Sequence, residues 1–128
     1  MRSQITSYLL VFLGGGLGAA LRYWLSGAVY RYLPADFPYG TLAVNISGCF
    51  LIGVLMAFQE GRFEFEPSLR LLIGIGILGG FTTFSTFSYE TAALLRDGQA
   101  IQASMNILAS LLGCLAATVA GITIGKLL

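Results

Sequence analysis

The chain has 128 residues, of which 56% are hydrophobic and only 10% charged, and its formal net charge is +1. Soluble domains carry about 25% charged residues, so most of this surface cannot face water and membrane lipid becomes the solvent for most side chains. The near-neutral balance gives no electrostatic footprint for nucleic acid, and the absence of histidine removes the commonest metal ligand and neutral-pH proton shuttle.

A membrane-crossing helix needs about 20 mostly apolar residues. Four stretches qualify, at about 5–30, 40–58, 69–95 and 100–124, which predicts one all-α membrane domain over 1–128. The runs are too long for strands and lack period-two alternation. In the first span, Arg2, an apolar run and Gly18-Ala19-Ala20 have the outline of a signal peptide. The remainder is equally apolar, so the segment is read as a retained helix. Gly14 and Gly18 have the four-residue spacing that lets backbones approach closely in lipid. Arg22 follows this glycine-rich run and precedes Tyr23 and Trp24. It either snorkels beside an aromatic belt or makes an electropositive vestibule for anions. Pro34, Asp36 and Pro38 then end the span.

The second span opens with Gly40-Thr41-Leu42-Ala43-Val44-Asn45. A side-chain amide at membrane depth donates either to an anion or to a neighbouring helix. Gln59 through Pro67 form the most polar connection. The third span is purely apolar up to Leu78 and then reads Gly79-Gly80-Phe81-Thr82-Thr83-Phe84-Ser85-Thr86-Phe87-Ser88. Two glycines followed by two threonines weaken helix propagation, which predicts a break near the middle of the span. Irregular backbone at that depth is tolerated only inside protein or along a cavity. A break also frees carbonyls, hard ligands suited to a cation such as sodium. Phe84 and Phe87 share one helix face, and their positive ring edges can solvate a small anion; ordinary aromatic packing is the alternative. Glu90, still within the span, is a proton site or a surface residue.

In the fourth span Asn106, Ser110 and Cys114 recur every four residues. They line a narrow path or bond another helix. Gly113, Ala117, Gly121 and Gly125 form a small-residue face. Cys49 and Cys114 lack zinc-ligand spacing and read as small residues on apolar faces. Arg2, Arg62, Arg70 and Lys126 fall on one side of the predicted membrane, against Arg31 and Arg96 on the other. The positive-inside rule puts the termini in the cytoplasm, with a bias small enough for insertion in both orientations.

The run Leu21-Arg22-Tyr23-Trp24, the stretch Gly40 through Asn45 and the cluster Gly79 through Ser88 resemble the bacterial fluoride channels known as Fluc or CrcB proteins. The resemblance covers nearly the whole chain. It implies an antiparallel, dual-topology homodimer in the bacterial cytoplasmic (inner) membrane, passively exporting cytoplasmic fluoride. By motif match it implies fluoride coordination by Phe84 and Phe87, a pore role for Asn45 and for hydroxyls including Thr41 and Ser85, and the first-helix arginine in Arg22. It also implies a structural sodium ion on the carbonyls of Gly79 and Thr82, and a polar track at Asn106 and Ser110. A small multidrug exporter of similar size needs a carboxylate in its first span, which here carries Arg22 instead. A non-transporting assembly subunit leaves the hydroxyl-rich break unexplained. An enzyme is the poorest fit, because no nucleophile and base are paired.

Overall fold

The computed structural model describes residues 3–61 and 64–128. Arg2 and Arg62, two of the basic residues behind the expected orientation, lie outside the described residues. Every regular element among the described residues is helical. Helix α1 (Gln4–Tyr30) begins where Ser3 Oγ accepts the Thr6 N–H at 3.2 Å, a side-chain cap on an otherwise unpaired donor. Helix α2 (Tyr39–Glu60) follows the Pro34–Pro38 turn. The third span consists of α3 (residues 67–81) and α4 (Phe84–Arg96), separated by two extended residues. Helix α5 (Ala100–Leu127) completes the chain. Counted with the third span taken whole, four helices are long and apolar enough to cross a membrane.

The turn between α4 and α5 shows how tightly the chain is punctuated. Gly98 has φ 75°, a left-handed conformation that costs glycine nothing. The Gly98 N–H then reaches the Leu95 carbonyl at 3.1 Å and the Gln99 N–H the Leu94 carbonyl at 2.8 Å. Those two bonds satisfy carbonyls that the helix end would otherwise leave open.

Lipid supplies no hydrophobic drive between helices, so close van der Waals packing must hold them. Two parallel pairs supply it. In the first, α1 lies backbone-on-backbone against α3. A Cβ on Gly14 would fall 2.9 Å from Gly76 Cα, one on Gly18 would strike the Ile77 carbonyl, and one on Gly80 would strike the Gly15 carbonyl. On the α3 side, Leu71–Leu78 is wound as a π-helix, wider than α and common where a helix serves function. In the second pair, α2 lies against the small-residue face of α5. Gly53 meets the Thr118 carbonyl, Gly121 the Phe50 carbonyl and Gly125 the Val54 carbonyl.

The core between these pairs is small: Val44, Leu55, Ala57, Leu78, Phe81 and Ala103 are its buried apolar residues. Leu9, Phe12, Leu108 and Leu112 are exposed, as expected of faces turned to lipid. Gly48 on α2 has no room for a Cβ beside the Thr82 methyl and the Phe81 ring. That contact brings α2 onto the break.

Candidate functional site: the broken third span and its two chambers

Thr82 (φ −82°, ψ 156°) and Thr83 (φ −151°, ψ 122°) are both extended, so the helix stops for two residues at mid-span. Buried backbone groups must find partners, and here one side chain serves as a strand neighbour. Asn45 Nδ2 donates to the Thr83 carbonyl at 2.8 Å, and the Thr83 N–H donates to Asn45 Oδ1 at 2.9 Å. Thr83 also restarts the helix: its Oγ1 accepts the Thr86 N–H at 3.2 Å, an N-cap on α4. Before the break, Thr82 donates from both its N–H and its hydroxyl to the Leu78 carbonyl, each at 3.1 Å.

The same bonds decide which carbonyls stay open. An unbroken helix would send the Thr83 N–H to Gly79 and the Thr86 N–H to Thr82. Those donors go instead to Asn45 Oδ1 and Thr83 Oγ1, so the Gly79 and Thr82 carbonyls lose their helical partners. Gly79 is exposed. Freed neutral oxygens suit a hard cation, so these two residues fit the sodium expected there.

Two cavities of about 320 Å³ each flank the break. The first, labelled the outer chamber with the second as the inner, is lined by Arg22, Tyr23, Ser26, Thr41, Thr83 and Thr86, among others. The Arg22 side chain lines this chamber, and its Nε is buried without a partner among the described residues, so the wall carries a cationic group whose donors are not all used. Thr41 donates its hydroxyl to Glu90 Oε1, tying α2 to α4. The inner cavity is lined by Asn45, Thr82, Thr83, Phe84, Phe87 and Ser110, with both cysteines. The rings of Phe84 and Phe87 lie 5.4 Å apart at 54°. Thr83 belongs to both walls and is therefore the partition between the chambers.

Arg22 and Thr41 thus fall in the outer chamber, and Asn45, Phe84, Phe87 and Ser110 in the inner one. Two expected residues lie elsewhere. Ser85 is exposed, with its Oγ 3.3 Å from Thr83 Oγ1, and lines neither chamber. Asn106 is 2% exposed and donates to Thr91 Oγ1 at 2.9 Å, which in turn donates to the Phe87 carbonyl at 2.8 Å. Ser110 donates to Asn106 Oδ1 at 3.4 Å. The upper part of the polar stripe therefore fastens α5 to α4. The sequence reading missed the separate role of Thr83. Its signal was an N-cap threonine three residues before Thr86, hidden among five hydroxyls of similar type.

A family model described as "CrcB-like protein, Camphor Resistance (CrcB)" matches residues 9–122. A protein of Geobacter metallireducens is 53% identical over 112 residues, covering 88% of this chain and 90% of the relative. Proteins of Citrifermentans bemidjiense and Geotalea uraniireducens are each 51% identical. The first aligns over 89% of this chain and 92% of its own length, the second over 94% and 96%. All three relatives are named fluoride-specific ion channel FluC.

Proposed function

The chain belongs to the CrcB family, and we propose that it is a fluoride-selective channel carrying the ion out of the cell passively, down its electrochemical gradient. The observation that carries this reading is the meeting of two chambers at Thr83. One has the Arg22 side chain in its wall, and the other an aromatic pair beside the Asn45 amide.

Fluoride is small and holds its water strongly, so a pore must replace that water with donors or the ion does not enter. In the outer chamber the guanidinium attracts the anion, and the Ser26 and Thr86 hydroxyls stand on the same wall. In the inner chamber, Asn45 Nδ2 has a second hydrogen beyond the one given to Thr83, and the positive edges of Phe84 and Phe87 stabilise negative charge without full hydration. Chloride is larger and holds its water less strongly, so donors set for a small anion favour fluoride over it. Hydrofluoric acid enters cells uncharged and releases fluoride inside, so an open passive path suffices to lower its toxicity. A multidrug exporter's first-span carboxylate has no counterpart in α1, whose 27 residues contain no acid.

The proposal extends to assembly: an antiparallel, dual-topology homodimer in the bacterial cytoplasmic (inner) membrane, with a structural sodium ion held by the Gly79 and Thr82 carbonyls. Supporting it are the exposure of Gly79, the loss of helical donors to both carbonyls, and Phe84, 74% exposed although it lines the inner chamber. A second copy would complete that wall. The ion, when bound, supplies positive charge that offsets the facing carbonyl dipoles.

Liposomes containing only the purified chain release fluoride under a gradient and retain chloride; equal release of both ions overturns the selectivity. A cysteine placed at Glu64, in a chain with Cys49 and Cys114 replaced, labels partly from each side of intact cells. The dimer weakens when a large organic cation replaces sodium. Labelling from one side alone rules out dual topology, and a dimer indifferent to sodium rules out the ion.

A further inference from the structure

The fluoride pathway makes no use of two thiols on the inner chamber wall. Cys49 on α2 and Cys114 on α5 both line the cavity that holds Phe84 and Phe87. Both are free and half-buried, and they stand on two closely packed helices with their side chains on the wall of one cavity. The glycine contacts that press α2 onto α5, Gly53 on the Thr118 carbonyl and Gly121 on the Phe50 carbonyl, hold the two helices in register. The thiols are therefore presented as a fixed pair.

Among the described residues no three histidine, cysteine or acidic side chains cluster, so the pair stands without further ligands. Zinc asks for four ligands, twice what the pair supplies within one chain. Soft thiolates select soft metals, and a heavy d10 cation is satisfied by two sulfurs in a line. Charge then decides between candidates. Each thiol loses its proton on binding. A monovalent cation with two thiolates leaves a net negative complex in an apolar wall, and burying such charge is costly. A divalent cation with two thiolates is neutral.

We propose that Cys49 and Cys114 form a two-thiol site for a soft divalent d10 cation, represented by Hg2+, whose binding obstructs the inner chamber. The binding step is 2 R–SH + Hg2+ → R–S–Hg–S–R + 2 H+: two S–H bonds break, two S–Hg bonds form, and no electron changes hands. The obstruction rests on the fluoride-channel reading, whereas the binding does not.

The test titrates the purified full chain with HgCl2 while counting free thiols and released protons. One Hg2+ per chain consumes both thiols and releases two protons. Cys49→Ser and Cys114→Ser each weaken retention against a competing monothiol on the order of 10²-fold, the loss of an intramolecular second ligand. Single variants that hold Hg2+ as tightly as the parent, or two Hg2+ per parent chain, overturn the site. In liposomes Hg2+ stops parental fluoride flux, and the Cys49→Ser/Cys114→Ser flux with Hg2+ equals that variant's own rate without it. Parental flux indifferent to bound Hg2+ overturns the obstruction. Absence of any parental flux, with one-to-one binding intact, counts against the fluoride reading and leaves the metal site standing.

Discussion

The two halves of the third span are built on opposite principles. The half before the break, α3, is glycine and aliphatic residues from Leu71 to Gly80, and it meets α1 through backbone, with Gly14, Gly18, Gly76 and Gly80 admitting no side chain. The half after it, α4, carries hydroxyls and rings. Polar side chains tie it to α2 and α5: Thr41 to Glu90 and Asn106 to Thr91. Phe84, at its start, is largely exposed. One half anchors and the other presents, and a single unbroken helix could not do both. Rotation about the two extended threonines uncouples the face that packs from the face that lines the chambers.

Three tests break or sharpen this contrast. The largest effect belongs to the anchoring half. Gly18→Ala drives a methyl into the Ile77 carbonyl, and backbone on both sides leaves nothing to yield. The expected cost is about 3 kcal/mol, the upper end of overpacking, read as a shifted SDS-unfolding midpoint and loss of the monodisperse species. Gly16, two residues earlier, meets nothing within 4 Å. Gly16→Ala leaves that midpoint unchanged or raises it by up to about 1 kcal/mol. If both alanines cost the same, the contact between α1 and α3 is not backbone-on-backbone.

Next comes the hinge between the halves. Asn45→Ala removes both bonds to Thr83 and leaves a part-buried N–H and carbonyl without these partners. A loss of about 2 kcal/mol follows, with fluoride flux falling further than the folded fraction because the chambers lose their partition. Asn45→Ala with wild-type stability would show that water replaces the amide and that the break does not depend on α2.

The smallest change in stability falls on the presenting half. Phe84→Ile with Phe87→Ile keeps apolar volume roughly constant, so stability moves by less than about 1.5 kcal/mol. Flux per folded protein drops by about tenfold or more, since both positive ring edges are lost. Undiminished flux through a well-folded double variant would reduce the rings to packing.

Much of the fold was legible without coordinates. Length and the charge deficit required helices in lipid, Gly79-Gly80 followed by two threonines marked the break, and the spacing of Gly113, Gly121 and Gly125 marked the face that α2 covers. Such features are local or periodic, and the sequence carries them directly. The partners at the break were not legible. Asn45 and Thr83 are distant along the chain, and an amide suits an anion, a helix or a stranded backbone equally well. The same holds for Asn106, which its spacing placed with Ser110 on a polar stripe, whereas packing turned it to Thr91 and left Ser110 on the chamber wall. Cys49 and Cys114 each read as an inert apolar-face residue until α2 and α5 came together. Composition and period determined that this chain forms four apolar spans with one of them interrupted. Only tertiary structure decided which polar groups spend their hydrogen bonds on one another and which remain free for an ion, because that choice depends on contacts between helices far apart in sequence.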